Sequence, residues 1–204
     1  MTTKQTRKSN RLPFKSIYTS NNSFFITMCV EGRICCLSKI FHGKASLTPT
    51  GKIVEESWLS LTNLVNDIQL DEFVIMPNHF HGIITFLDTP TFKNSEKLVD
   101  LSQIMAIFKS KTTNLIRRGM PSASRDNRRI LASQDNMVYN GKASLTPTNI
   151  PIFQWQKSFY DHVIRDETDL LRVREYIFNN PLKWDLDILN PKNEDEYQRW
   201  LIAK

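Results

Sequence analysis

The stretch LDEFVIMPNHFHGIITF, residues 70–86, confines this chain to a fold that contains a sheet. Two runs rich in β-branched and aromatic residues flank Pro77-Asn78, and that dipeptide is turn chemistry. The stretch reads as two paired strands, 70–76 and 79–86. Alternate side chains of a strand point to opposite faces, so His79 and His81 share one face and Phe80 takes the other. The chain has four histidines, and two of them meet here. Imidazoles on one strand face can hold a metal from a rigid backbone, or they can simply pack. Two ligands do not complete a site, so a metal reading requires a third donor from another element. Asn78 and Gly82 are poor strand residues, which implies that something approaches the strand closely at this point.

The remaining segments extend the same pattern. SFFITMCV (23–30) reads as a strand, and RICCLSKI (33–40) as a second one after a turn at Glu31-Gly32. GKIVEESWLSLTNLVNDI (51–68) places Ile53, Val54, Trp58, Leu61, Leu64, Val65 and Ile68 at helical spacing. LVDLSQIMAIFKSKTTNLIRRG (98–119) reads as a second amphipathic helix, with Leu101, Ile104, Met105, Phe108 and Leu115 near one face and a stop at Gly119 and Pro121. SFYDHVIR (158–165) alternates like a strand. DETDLLRVREYIFNN (166–180) reads as a third helix, begun by acidic and capping residues and ended by Pro181. Strands that adjoin as hairpins with helices between them predict an α+β sandwich, in its simplest form ferredoxin-like, with a mostly antiparallel sheet and helices packed on it.

At 204 residues the chain has room for one domain with a sizeable core. The expected layout is a flexible basic arm over 1–12, a domain over 13–187 with a polar loop around 119–154, and a tail over 188–204. No apolar run is long enough to span a bilayer, and the basic N-terminal segment lacks the apolar stretch of a leader; the expectation is a cytoplasmic protein without a membrane partner. Three cysteines, Cys29, Cys35 and Cys36, are an odd number without zinc-knuckle spacing and read as reduced thiols. A net charge of +6 is compatible with a polyanionic partner without requiring one. The octapeptide GKASLTPT stands at 43–50 and again at 141–148. Two copies so far apart are not a periodic array. Their composition places both in surface turns, consistent with a short DNA element that entered the gene twice.

A second constellation lies in REYIFNNP, 174–181. On a helix Tyr176 and Asn180 are i, i+4 neighbours and share a face. A phenol beside a carboxamide fits a nucleophile next to a metal ligand. Asn180 before a proline also fits a helix cap, and Tyr176 an ordinary core or surface tyrosine. Tyr160, in SFYDHVIR, is a rival nucleophile, but adjacent Asp161 disfavours a phenolate there. His162 reads as structural.

Taken together, LDEFVIMPNHFHGIITF (70–86), FKSKTTN (108–114), WQKSFYDHVIRDE (155–167) and YIFNNP (176–181) resemble the REP-associated tyrosine transposases, the single-tyrosine branch of the HUH endonucleases, in order and over roughly residues 12–187. The resemblance implies a ferredoxin-like fold with the histidine pair on its central strand. It puts His79 and His81 at the metal-binding histidines and Tyr176 at the nucleophile. Asn180 falls where relatives carry a polar third ligand, often glutamine, and is one methylene shorter. The 119–154 segment looks like an insertion relative to compact members. The implied activity is Mg²⁺- or Mn²⁺-dependent cleavage and strand transfer of single-stranded DNA at hairpins of repetitive palindromes, through a 5′-phosphotyrosine. The histidines argue mildly for Mn²⁺. Lys109, Lys111, Arg172 and Arg174, with Lys4, Arg7, Lys8 and Arg11 of the arm, are candidate phosphate contacts. Trp155, Phe159 and Trp184 are either base-stacking or core residues. The partner is expected to be single-stranded or hairpin DNA, bound by a monomer or homodimer. The alternative is a transposase-derived protein that binds DNA or RNA hairpins without cutting.

Overall fold

The computed structural model describes residues 22–87, 100–119 and 153–193. The order is β1 (Ser23–Cys29), β2 (Ser38–Phe41), β3 (Lys44–Leu47), α1 (Pro49–Leu59), β4 (Ile68–Ile75), β5 (His79–Phe86), α2 (Leu101–Gly119), β6 (Tyr160–Ile164) and α3 (Glu167–Asn179). Four strands form one sheet in the order β4-β5-β1-β6, every pair antiparallel. With the β2-β3 hairpin set aside, this is a βαββαβ chain with β1 and β5 at the centre of the sheet. The expected ferredoxin-like α+β sandwich is therefore present.

Strand alternation divides the core between the two faces. Phe24, Ile26, Met28, Phe80, Ile84 and Phe86 point one way and pack with Trp58 of α1 and Phe108 of α2 in the main core. The rings of Trp58 and Phe80 lie 4.7 Å apart, and those of Trp58 and Phe108 lie 5.5 Å apart. On the opposite face Ile83 and Ile164 meet Val173 and Ile177 of α3 in a smaller cluster. The histidine face of β5 is thus the face covered by α3. Gly82 is explained from the other side: a Cβ there would come within 2.7 Å of the Phe80 ring and 2.9 Å of the Trp58 ring. What approaches the strand at Gly82 is core packing.

Several boundaries depart from expectation. The segment 33–40 is not one strand, since a short 3-10 turn occupies Glu31–Arg33 and β2 begins only at Ser38. The first helix starts earlier and ends earlier than its periodicity predicted. Thr48 caps it, its Oγ1 accepting from the Gly51 N–H, and Pro49 opens it. After Leu59 a 3-10 turn follows, Leu64 is exposed, and Ile68 already belongs to β4. The first GKASLTPT copy is therefore not a surface turn. It supplies β3, the capping threonine and the first residues of α1. The second copy and most of the 119–154 segment lie outside the described residues. In α2 the buried stripe is Leu101, Ile104, Met105, Phe108, Thr112 and Ile116, whereas Leu115 is exposed. The small hydroxyl of Thr112 is in the stripe because it accepts the Trp155 indole N–H at 2.8 Å.

Candidate active site

The Pro77-Asn78 turn between β4 and β5 is buried, and its asparagine sets up the site. Asn78 Nδ2 donates to the carbonyls of Leu189 (2.7 Å) and Arg33 (3.2 Å). With both amide hydrogens directed at carbonyls, Asn78 Oδ1 is left as the acceptor facing His79 Nδ1 at 2.8 Å. The proton of His79 therefore sits on Nδ1, and Nε2 turns a bare lone pair into the protein. His81 lies opposite Thr27 of β1, whose Oγ1 is 2.8 Å from His81 Nδ1. That leaves His81 Nε2 facing Tyr176 Oη at 3.5 Å. The two imidazole rings are 4.6 Å apart at a steep angle. Phe25, also on β1, stacks on His81 at 5.2 Å and meets the Tyr176 ring edge-on at 5.7 Å, which fixes the phenol relative to the histidine.

Helix α3 brings the third donor. Asp166 caps its start, and Val173 and Ile177 anchor it on the sheet. Tyr176 and Asn180 follow one turn apart, beside the histidines. Asn180 has right-handed helical dihedrals and the chain continues into a 3-10 turn over Pro181–Leu186, so its side chain is not used as a cap. It is buried, and Asn180 Oδ1 and His79 Nε2 are both buried atoms without a hydrogen-bond partner. Ser38 Oγ, Ser57 Oγ and Trp58 Nε1 are in the same condition elsewhere among the described residues; these two differ in that Asn180 acts on His79 and on Tyr176. Asp187, just past the 3-10 turn, joins them, its Oδ2 lying 3.7 Å from His79 Nε2.

Burial governs the electrostatics. It holds the His79 imidazole well below its usual value, reinforced by His81 and opposed by Asn180. His81 is pushed down to about 3, again by burial, with a backbone hydrogen bond at Ile26 acting the other way. Both rings are therefore neutral near pH 7, the state in which imidazole binds metals. The Tyr176 phenol is raised by burial and then by Asp187, with Asn180 acting against them. The Asp187 carboxyl is raised by burial, opposed by the Leu189 N–H and by Arg33. Cys29, across from His79 on β1, is raised to about 11 by burial, so it offers a thiol and not a thiolate.

Among the described residues no three His, Cys, Asp or Glu side chains form a metal-binding group. The atoms that fit a small cation here are His79 Nε2, His81 Nε2 and the carboxamide oxygen of Asn180, a mixed nitrogen and oxygen set that Mn²⁺ tolerates better than Mg²⁺. Tyr176 as a residue is 44% exposed, although burial is the main influence on its hydroxyl.

The other candidates are placed elsewhere. Tyr160 is on the same sheet face, but across β1 from His81, opposite Thr27. His162 pairs with Asp169 at 2.9 Å, in keeping with a structural role. Arg174 grips Asp71 of β4 with two hydrogen bonds, at 3.0 and 2.6 Å. Lys109 Nζ donates to the carbonyls of Gln156, Lys157 and Ser158, and Lys111 Nζ to Ser60 Oγ. These three cations tie elements together. Arg172 is exposed, with Asp169 at 4.0 Å. Trp155 and Phe159 are core residues, and Trp184 lies 6.0 Å from the His79 ring. Lys4, Arg7, Lys8 and Arg11 lie outside the described residues. Sequence reasoning did not single out Thr27, Phe25 or Asp187. The first two depend on strand register. Asp187 sits in KWDLDILN, where an acid after a helix end carries no periodic signal.

No family model matches the chain. An uncharacterized protein of Haemophilus influenzae is 32% identical over 184 residues, which cover 90% of this chain and 92% of that protein. Among solved structures, a REP-associated tyrosine transposase bound to a REP hairpin is similar with a TM-score of 0.51 at 18% identity, over 85% of this chain and 74% of that one. The likeness extends the ferredoxin-like assignment to a known fold. No helix among the described residues is long and apolar enough to cross a membrane.

Proposed function

This chain belongs to the same family as the Haemophilus influenzae protein, and we propose that it is a metal-dependent single-strand DNA endonuclease and transposase acting at hairpins of repetitive palindromes. One observation carries the reading. Two buried, unpartnered atoms with lone pairs, His79 Nε2 and Asn180 Oδ1, lie in one site with His81, whose Nε2 faces the hydroxyl of Tyr176, a half-exposed residue. The similarity to a transposase solved with a REP hairpin points to the same class of substrate.

In this reading His79, His81 and Asn180 would hold Mn²⁺ or Mg²⁺, and the ion would supply Lewis-acid charge to the scissile phosphate. Tyr176 Oη forms a bond to phosphorus as the bond to the 3′-oxygen of the preceding nucleotide breaks. The phenolic proton is released, and the departing 3′-oxygen becomes a hydroxyl. The products are a 5′-phosphotyrosine and a free 3′-OH. One phosphodiester has replaced another, so a 3′-OH from a second strand can reverse the step without ATP. In the resting chain the phenol is protonated, as an ordinary tyrosine is near pH 7, and burial and Asp187 raise it further against Asn180. Arg172 and the arm cations Lys4, Arg7, Lys8 and Arg11 are the proposed phosphate contacts. Arg174, Lys109 and Lys111 serve the frame.

A labelled single-stranded hairpin incubated with Mn²⁺ or Mg²⁺, and in parallel with EDTA, tests the proposal. Nicking with the metal and none with EDTA is expected, with loss in Tyr176→Phe and retention in Tyr160→Phe. A gel shift on the hairpin without any nicking would leave a hairpin-binding protein instead.

A further inference from the structure

We propose that Thr27 is a positioning residue of the site: its hydroxyl takes the Nδ1 hydrogen of His81 and so keeps a bare Nε2 in front of the Tyr176 hydroxyl. The assignment rests on the reading of Tyr176 as the nucleophile and adds to it a residue of β1.

Strand register brings the parts together. Thr27 stands opposite His81, on the sheet face away from the main core that Ile26 and Met28 enter. Its Oγ1 is 2.8 Å from His81 Nδ1. Two residues back on the same face, Phe25 stacks on the imidazole, with centroids 5.2 Å apart and planes 23° from parallel. One strand thus holds the ring by its edge and by its face. Tyr176 Oη lies 3.5 Å from the other nitrogen, Nε2. That is the long end of a hydrogen bond, as is common at a catalytic contact before substrate binds.

A neutral imidazole has one N–H and one bare nitrogen, and its neighbours decide which is which. His79 shows the pattern: Asn78 Oδ1 holds its Nδ1 hydrogen at 2.8 Å, and Nε2 is left as a buried lone pair. His81 is engaged at Nδ1 at the same distance, by a hydroxyl that can accept as well as donate. A backbone hydrogen bond at Ile26, next to Thr27, also favours a hydrogen on this ring. With Nε2 turned to α3, the nitrogen on the β1 side is Nδ1. Threonine suits the task, because its branched Cβ favours a strand and restricts χ1, which keeps the hydroxyl aimed.

The tautomer matters to the chemistry. A bare Nε2 accepts the phenolic hydrogen and leaves the lone pairs of the Tyr176 oxygen for attack on phosphorus. It is also the form in which His81 can serve as a metal ligand. The other tautomer would place a hydrogen on Nε2, directed at the phenol oxygen, and occupy one of those lone pairs.

The first stage of the test uses the full chain without metal or DNA. Long-range proton–nitrogen correlation spectra of the isotopically labelled protein, at about pH 8 where imidazole is neutral, distinguish an N–H nitrogen from a bare one. His81→Asn identifies the His81 signals. The wild type is expected to carry the His81 hydrogen on Nδ1. In Thr27→Val, which keeps the shape and removes the hydroxyl, part of the His81 population moves to Nε2–H. Thr27→Ser, which keeps the hydroxyl, retains the wild-type pattern. So does Thr85→Val, which breaks the Ser23–Thr85 hydroxyl contact on the same strand pair. On the hairpin substrate Thr27→Val should nick at least about tenfold more slowly at saturating DNA, with unchanged hairpin affinity by gel shift, and Thr27→Ser should recover most of the rate. A wild-type His81 protonated on Nε2 would overturn the assignment. So would a folded Thr27→Val with wild-type nitrogen signals, or with the wild-type nicking rate. If Thr27→Val does not fold, Thr27→Ala is read by the same criteria. A wild-type chain with the expected nitrogen pattern that nicks no hairpin would uphold the hold of Thr27 on His81 and overturn the nucleophile reading instead.

Discussion

Asn78 engages three partners, two of them carbonyls from distant segments and the third the ring of His79. Replacing it with alanine removes a donor from the Leu189 and Arg33 carbonyls and the acceptor of the His79 Nδ1 hydrogen, which is buried, at a cost of about 1–3 kcal/mol for a group that water cannot reach. It also removes the group that selects the His79 tautomer. Asn78→Ala is expected to lower the urea midpoint and to weaken Mn²⁺ binding by about 10–100-fold, even though Asn78 is not itself a ligand. Unchanged metal affinity in a folded variant would contradict its positioning role. The histidines make a second prediction at this scale. Unfolded imidazole titrates near 6.5, and buried His81 only at about 3. The stabilisation from keeping it neutral is complete above about 6.5 and is lost as pH falls toward 3, because the unfolded chain binds the proton first. His79 acts in the same sense. Stability should therefore drop between pH 7 and pH 5, by at most about 1.4 kcal/mol per pH unit for each histidine. Urea midpoints across that range should vary less with pH in His81→Asn; an equal slope would show that His81 is not the titrating group. Residue identities in the site were legible because HFH and YIFNN each place two chemically apt groups on one face. Asp187 was not legible, since its position comes from a turn whose contacts lie more than a hundred residues back in the chain.

At the scale of elements, the site depends on how α3 sits on the sheet. Val173 and Ile177 supply apolar contact, and the Arg174–Asp71 pair holds the helix to β4 across a register shift between Leu70 and Phe73. Arg174 lowers the Asp71 carboxyl from its usual range, mainly through that hydrogen bonding. A double-mutant cycle on Arg174→Ala and Asp71→Ala should give a coupling of about 0.5–1 kcal/mol, the scale of a partly exposed bidentate pair. No coupling would mean that the helix is seated by its apolar contacts alone. Helix and strand types were readable from periodicity because each element buries a single face. Boundaries were read less well where local chemistry overrides periodicity. Thr48-Pro49 starts α1 inside a segment whose composition resembles a loop, and the apolar spacing from Leu61 to Ile68 continues past the point where the helix has ended. Gly82 was correctly marked as a close approach, but the approaching groups are Trp58 and Phe80 from the core.

For the molecule as a whole, the sandwich divides its work between two faces of one sheet. The face bearing α1 and α2 holds the large aromatic core, and the face under α3 holds the histidines, the phenol and the carboxamide. This arrangement was legible as a fold class because paired strands separated by amphipathic helices have few ways to bury both faces. Which helix would cover the histidines required the strand order, which no single segment encodes. The account's central claim is that these groups make Tyr176 a nucleophile toward DNA. The most direct measurement is to incubate the chain with Mn²⁺ and a hairpin substrate, digest it, and map the nucleotide-bearing peptide by mass spectrometry. The account predicts a covalent 5′-phosphonucleotide on Tyr176 and none when metal is withheld. An adduct on Tyr160, or cleavage that proceeds in Tyr176→Phe, would contradict it.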